Sequence, residues 1–262
     1  MVKLAFIYEI ADERYWRDGL WAALKILEKE WEIEYCNGRF PERRADFALV
    51  WGAMGSRQVI ETIRLNIKKG VCVAGGSRSA QLSIFDVIFV ETLWHQEMFK
   101  RIGITTKLAF GTNTQLFRPI PEQIKIWDAI YPAAFADWKR HEIFCQKYGG
   151  KGLAVGHMQE SGWDINCYQI CLEYGTPVLP MVTPDVLVWL YNASKKVHIT
   201  ADLYGGGERA VLEGLACGLP VEVEQDNSKL ISLLAENKKR LWTEWDYAKA
   251  LKEGIEQCLG KT

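Results

Sequence analysis

The sequence has no run of about 18 apolar residues, the length a membrane-crossing helix needs, so no spanning segment is expected. It has no CxxC pair, and its seven cysteines (36, 72, 145, 167, 171, 217 and 258) are odd in number. That usage predicts neither a disulfide framework nor a zinc ribbon. Cys167 and Cys171 would share one helical face as small core residues. His141, His157 and His198 have no carboxylate or cysteine at ligand spacing, so no metal site is expected. There is also little excess charge. The formal net charge of −1 gives no global field towards nucleic acid or an anionic membrane, although a local basic patch stays open. The opening apolar run, residues 2–8, is too short for a secretory signal and meets Glu9, Asp12 and Glu13 at once. A reducing cytoplasm fits these absences.

What is present is an alternation of short apolar runs and helical spacings. Residues 2–8 read as a buried parallel strand. Residues 17–31 carry Leu20, Trp21, Leu24, Leu27 and Trp31 at helical spacing. Strands are read at 31–35, 46–52, 70–76, 85–90 and 107–110. Helices are read around Val59, Ile60, Ile63 and Ile67 and over 94–101. Pro119 and Pro121 oppose both helix and central strand and mark a lobe boundary. The pattern restarts with strands at 128–135, 152–156, 196–200 and 220–223, and helices at 139–148, 165–174, 184–193, 208–217 and 242–259. The fold class is therefore α/β, with two Rossmann-like lobes of parallel strands. The lobes are expected over 1–118 and 119–241, with a last helix in 242–262.

Ligands of open parallel sheets sit beyond the carboxyl ends of strands. Three segments suit that place. Asp202 to Glu213 sets Gly205, Gly206 and Gly207 at the start of a helix, where backbone N–H groups and the dipole favour phosphate. There Glu213 could accept hydrogen bonds from ribose hydroxyls and Glu208 could hold a sugar hydroxyl. Alternatively the loop is flexible and its acids complement the dipole. Phe135 to His141 offers Lys139 and Arg140, a pair able to stabilise a diphosphate leaving group or to stand solvated. Cations are unfavourable at a helix start, which leans towards an anionic ligand. Glu91 to His95 offers His95 in the first lobe, as a reacting or a structural histidine. Tyr8, Glu9 and residues 51–55 are further candidates there.

Residues 110–119, FGTNTQLFRP, resemble the interlobe segment "NGVDTELFRP" of retaining GT-B glycosyltransferases, the glycogen-synthase-like superfamily. Residues 211–221, VLEGLACGLPV, resemble the donor-site signature "LLEAMACGLPVV" of the same family. The likeness spans roughly residues 85–225 and implies a compact GT-B enzyme with a trimmed acceptor lobe, whose last helix crosses back to the first lobe. It implies hexosyl or pentosyl transfer from a UDP-, GDP- or ADP-sugar, with no cofactor and no obligatory metal. Glu213 matches the family's ribose-binding glutamate and Lys139 its diphosphate lysine. The family's companion arginine falls on Ala134 and its first glutamate on Gly205, so Arg140 and Glu208 are expected to substitute from neighbouring positions. Arg209 joins the donor set, and Tyr8, Glu9 and His95 the acceptor side. The acceptor stays open among a glycan, a lipid-linked glycan and a modified nucleic-acid base. Eleven tryptophans with Arg39, Arg43 and Arg44 keep the last in play. A catalytically silent nucleotide-sugar binder or partner protein, or an epimerase or hydrolase on the same fold, remains an alternative.

Overall fold

In a computed structural model that describes residues 1–8, 14, 17–37, 44–51, 57–73, 80–101, 103, 105–157 and 162–261, the alternation becomes two parallel sheets. The chain divides into two units, Met1–Asn113 with Trp242–Thr262, and Thr114–Leu241. The first contains β1 (Lys3–Tyr8), α1 (Gly19–Leu27), β2 (Glu32–Asn37), β3 (Phe47–Trp51), α2 (Arg57–Ile63), β4 (Lys68–Val73), β5 (Val87–Val90), α3 (Leu93–Lys100) and β6 (Thr106–Leu108). Its sheet runs β2-β1-β3-β4-β5-β6, and each pairing is parallel. Residues 4–8 are all buried, as suits an unalternating apolar run covered on both faces. Asp18 starts α1 by accepting a hydrogen bond from the Trp21 amide at 2.8 Å, and Leu20, Ala23, Leu24 and Leu27 form its buried stripe.

The second unit contains β7 (Ala129–Pro132), a 3₁₀ turn (Asp137–Lys139), α4 (His141–Tyr148), β8 (Gly152–Gly156), α5 (Gly162–Glu173), β9 (Val178–Pro180), α6 (Pro184–Asn192), β10 (Val197–Ile199), α7 (Glu208–Ala216), β11 (Val221–Val223) and α8 (Ser228–Lys239). Its sheet runs β11-β10-β7-β8-β9, again parallel throughout. The last helix, α9 (Glu244–Cys258), belongs to the first unit, where it packs on α1 and β5. A capping box opens it: Thr243 caps the first turn while the Asp246 carboxylate accepts from the Thr243 amide at 2.9 Å. Gly254 lets the helix approach β5 closely, because a Cβ there would stand 2.6 Å from the Phe89 ring. Ion pairs between Lys107 and Glu253, at 2.6 Å, and between Lys252 and Glu30 lie along its edges.

Three expectations change. Residues 139–148 do not form one helix: Arg140 is left-handed, with φ of 52°, and α4 begins only at His141. The reason is long-range. Thr200 Oγ1 donates to the carbonyls of both Lys139 and Arg140, and Tyr131 Oη donates to that of Lys139, so the Lys139 oxygen is held by side chains while the Arg140 oxygen also accepts from the Ile143 amide at 3.1 Å. The short edge strand β9 was hidden by its flanking Pro177 and by Pro180. Helix α8 had no assignment, although the Asn227 cap and Leu230, Leu233 and Leu234 carry its signal. Among the described residues no helix is long and apolar enough to cross a membrane, and no group of His, Cys, Asp and Glu is placed to hold a metal.

Candidate functional site

In the second sheet the strand order reverses between β7 and β10, which lie side by side. Open α/β sheets form their ligand crevice at such a switch point. The two segments singled out there by sequence, 135–141 and 202–213, follow these adjacent strands. They touch directly. The Asp202 amide donates to the Trp138 carbonyl at 2.9 Å, and a Cβ on Gly205 would stand 2.5 Å from that same oxygen. Glycine at 205 therefore permits the contact. A glutamate at that position would collide with the 3₁₀ turn.

Gly206 and Gly207 follow at φ of 69° and 116°, conformations that favour glycine, and Gly207 caps α7. The turn also brings two charged groups together. From the point where a Gly206 Cβ would stand, Lys139 Nζ is 3.1 Å away and Glu208 Oε2 is 3.4 Å away. Lys139, Gly206 and Glu208 thus share one small volume at the amino end of α7, where the helix dipole adds partial positive charge.

Glu213, in the middle of α7, is buried. Its Oε2 accepts from Tyr191 Oη at 2.9 Å, and Arg209 Nη2 lies 3.5 Å from its Oε1. Burial, and then the Glu213 carboxylate, push the Tyr191 phenol well above its ordinary pKa, so it stays a donor. An oriented carboxylate of this kind suits a pair of vicinal hydroxyls.

Arg140 does not sit in a helical first turn. Its guanidinium spans to Asp226, with Nη1 at 2.5 Å and Nη2 at 2.9 Å from the two oxygens, and donates to the carbonyls of Thr200 and Ala201. The inference of an anionic ligand from two cations at a helix start therefore does not hold for Arg140, whose charge already meets Asp226. That pairing holds the Asp226 carboxyl below its usual range. Glu208 is also engaged: Lys229 Nζ lies 2.6 Å from its Oε1, with both side chains buried, as an ion pair off the direction of a good hydrogen bond. Sequence reading passed over Lys229, Asp226 and Tyr191, and also the exposed rings of Trp138 and Tyr204, which stand in the two touching segments. Trp138 and Tyr204 lay inside the segments singled out and Tyr191 inside the span of the likeness, whereas Asp226 and Lys229 lay beyond it.

In the first unit, His95 is fully buried with Nδ1 2.8 Å from Thr92 Oγ1, the residue that caps α3. Tyr8 is buried with its hydroxyl 3.3 Å from Asp18 Oδ2 and its ring edge-on to Trp51. Both are buried and tied into local structure. Glu9, Arg39, Arg43 and residues 52–56 lie outside the described residues.

His141 follows the Lys139 turn and is buried, stacked on Phe135 at 4.7 Å between ring centroids. Burial, and then the Lys139 ammonium, depress its pKa to about 3. Because the unfolded imidazole titrates near 6.5, the unfolded chain binds the extra proton between the two values. Neutral His141 thus favours folding above pH 6.5, and that contribution drains away as pH falls towards 3, by at most about 1.4 kcal/mol per unit. His141→Phe, which keeps the stacking, is expected to flatten the fall in unfolding midpoint between pH 6.5 and 4. An unchanged slope would show that His141 does not set it.

No protein-family model and no curated protein matches the sequence. Solved structures do match over nearly the whole chain. Sucrose-phosphate synthase from Thermosynechococcus elongatus is 14% identical at a TM-score of 0.62, covering 99% of this chain and 94% of that one. HepE from Anabaena, in complex with UDP and glucose, is 13% identical at a TM-score of 0.61, covering 99% and 96%. An α-glucosyltransferase, in complex with UDP and a 13-mer DNA containing an HMU base, is 12% identical at a TM-score of 0.56, covering 98% and 90%. The fold is GT-B, with two parallel sheets as in these glycosyltransferases.

Proposed function

We propose that the chain is a glycosyltransferase that moves a sugar from a nucleoside diphosphate to an acceptor hydroxyl, with retention of anomeric configuration. The observation that carries this reading is the convergence of Lys139 Nζ with the left-handed glycine turn at the amino end of α7. Anions favour such a place, since backbone N–H groups, the helix dipole and an ammonium act together. In this reading the bond from the anomeric carbon to the diphosphate breaks, and the charge that grows on the leaving oxygen meets Lys139 and the amides of the turn. The acceptor oxygen takes the anomeric carbon, and its proton passes to the departing diphosphate oxygen. Glu213, oriented by Tyr191 and Arg209, holds the ribose hydroxyls. Glu208 offers the sugar only Oε2, since Oε1 faces Lys229. Arg140 braces the turn through Asp226. Two of the GT-B neighbours are in complex with UDP, which makes a uridine donor the first to test.

The test is a thermal-shift and hydrolysis panel of UDP-, GDP- and ADP-sugars. One donor is expected to stabilise the protein and to be slowly hydrolysed. Glu213→Gln is expected to weaken that donor about ten- to a hundredfold, the range for charge-assisted hydrogen bonds. Stabilisation without turnover in any acceptor screen would favour a silent binder, and no response to any nucleotide sugar would end the reading.

A second reading concerns the acceptor. The DNA-bound α-glucosyltransferase neighbour favours including a hydroxymethylated base among the acceptors screened. Transfer to duplex DNA carrying such a base, with none to free glycans, would select it.

A further inference from the structure

Lys229 has no explanation in helix chemistry. It lies in the first turn of α8, where a cation opposes the dipole. Its side chain is 0% exposed, and taking an ammonium out of water is costly even when it is paired. Yet the backbone is built to bring it in. The Asn227 side chain caps α8 through the Leu230 amide and donates to the carbonyls of Ala201 and Asp202, which tie the helix start to the chain leaving β10. A Cβ on Gly207 would stand 3.1 Å from Leu230 Cδ1, so the amino ends of α7 and α8 are in contact.

The result is one carboxylate with ammonium groups on two sides. Glu208 presents Oε1 to buried Lys229 and Oε2 to the space beside Gly206 that Lys139 Nζ enters. Lys139, unlike Lys229, is partly exposed. We propose that Lys229 is a positioning residue of the donor site: by neutralising Glu208 from the buried side, it weakens the pull of that carboxylate on Lys139 and so favours a diphosphate there. This rests on the donor-site reading above. Without Lys229, Glu208 would lose its buried counterion, and a diphosphate would compete with that carboxylate for the Lys139 ammonium beside Gly206. With Lys229 in place, Lys139 turns to the ligand while Glu208 keeps a counterion.

The test compares the affinity of UDP, GDP or ADP, whichever stabilises the wild type, with that of its own nucleoside. The ratio isolates the diphosphate, and a role confined to folding would not change it. Lys229→Met is expected to lower the ratio about tenfold with nucleoside binding unchanged. Lys229→Met combined with Glu208→Gln removes both charges and is expected to restore the ratio. The double variant also serves where Lys229→Met does not fold: a folded double variant that has lost the ratio overturns the proposal. A Lys229→Met protein with the wild-type ratio overturns it too, and leaves the donor site standing. A wild type that binds no nucleoside diphosphate ends both.

Discussion

With Lys139 replaced by methionine, donor hydrolysis and sugar transfer are expected to slow about 10²–10³-fold, the usual loss when one preorganised group facing developing charge is removed. The substitution should spare the fold. What fastens the 137–139 turn is the Lys139 carbonyl, which accepts from Tyr131 Oη at 2.7 Å and Thr200 Oγ1 at 2.9 Å, and methionine leaves that carbonyl in place. The loss should fall mainly on kcat, because the charge on the leaving oxygen is greatest in the transition state. The KM for donor should rise less. Steady-state kinetics beside an unfolding midpoint checks both parts. A variant with wild-type kcat would remove Lys139 from the chemistry, and a collapsed midpoint would mean that the side chain holds the turn.

The second large effect concerns stability. Gly111→Val is expected to cost more than about 4 kcal/mol, the range reserved for severe mechanisms such as overpacking. Three backbone segments of the first unit meet at this point. A Cβ on Gly19 would stand 1.8 Å from the Gly111 oxygen, and one on Gly111 would stand 2.0 Å from the Thr243 oxygen. Beside them the Thr112 amide donates to the Trp242 carbonyl at 3.1 Å, in a parallel bridge between Thr112 and Thr243. Neither glycine has an unusual φ, so the requirement is space and not conformation. Thermal unfolding and limited proteolysis check this, with cleavage expected first at the α9 end of the chain. A midpoint within a degree of wild type would show that the contact yields.

Much of this was legible beforehand. Apolar runs without alternation marked the buried parallel strands, and the helical spacing of Leu20, Leu24 and Leu27 marked α1. The recognised segment 110–119 contained Gly111, although only the packed backbone shows why no side chain fits there. Likewise Gly205 read as the loss of a family glutamate, whereas the contact with Trp138 leaves it no room. What stayed hidden was pairing over long separations. Arg140 meets Asp226 and Glu208 meets Lys229, both across elements distant in sequence. No local spacing announces such partners, so a residue type suited to binding a ligand was read without the neighbour that already claims it. The left-handed break at Arg140 was hidden for the same reason, since the partners around it, Thr200 and Asp226, come from distant segments.

The return of α9 to the first unit also sets an order of events during synthesis. The second unit is one unbroken stretch, Thr114–Leu241, and all its strands and helices exist once residue 241 has left the ribosome. The first unit begins earlier and ends later. Its sixth strand is complete at Leu108, but the faces of α1 and β5 on which α9 packs stay uncovered until α9 has been made. At ordinary translation rates that interval is on the order of ten seconds. The half of the chain made first is therefore the half that finishes folding last.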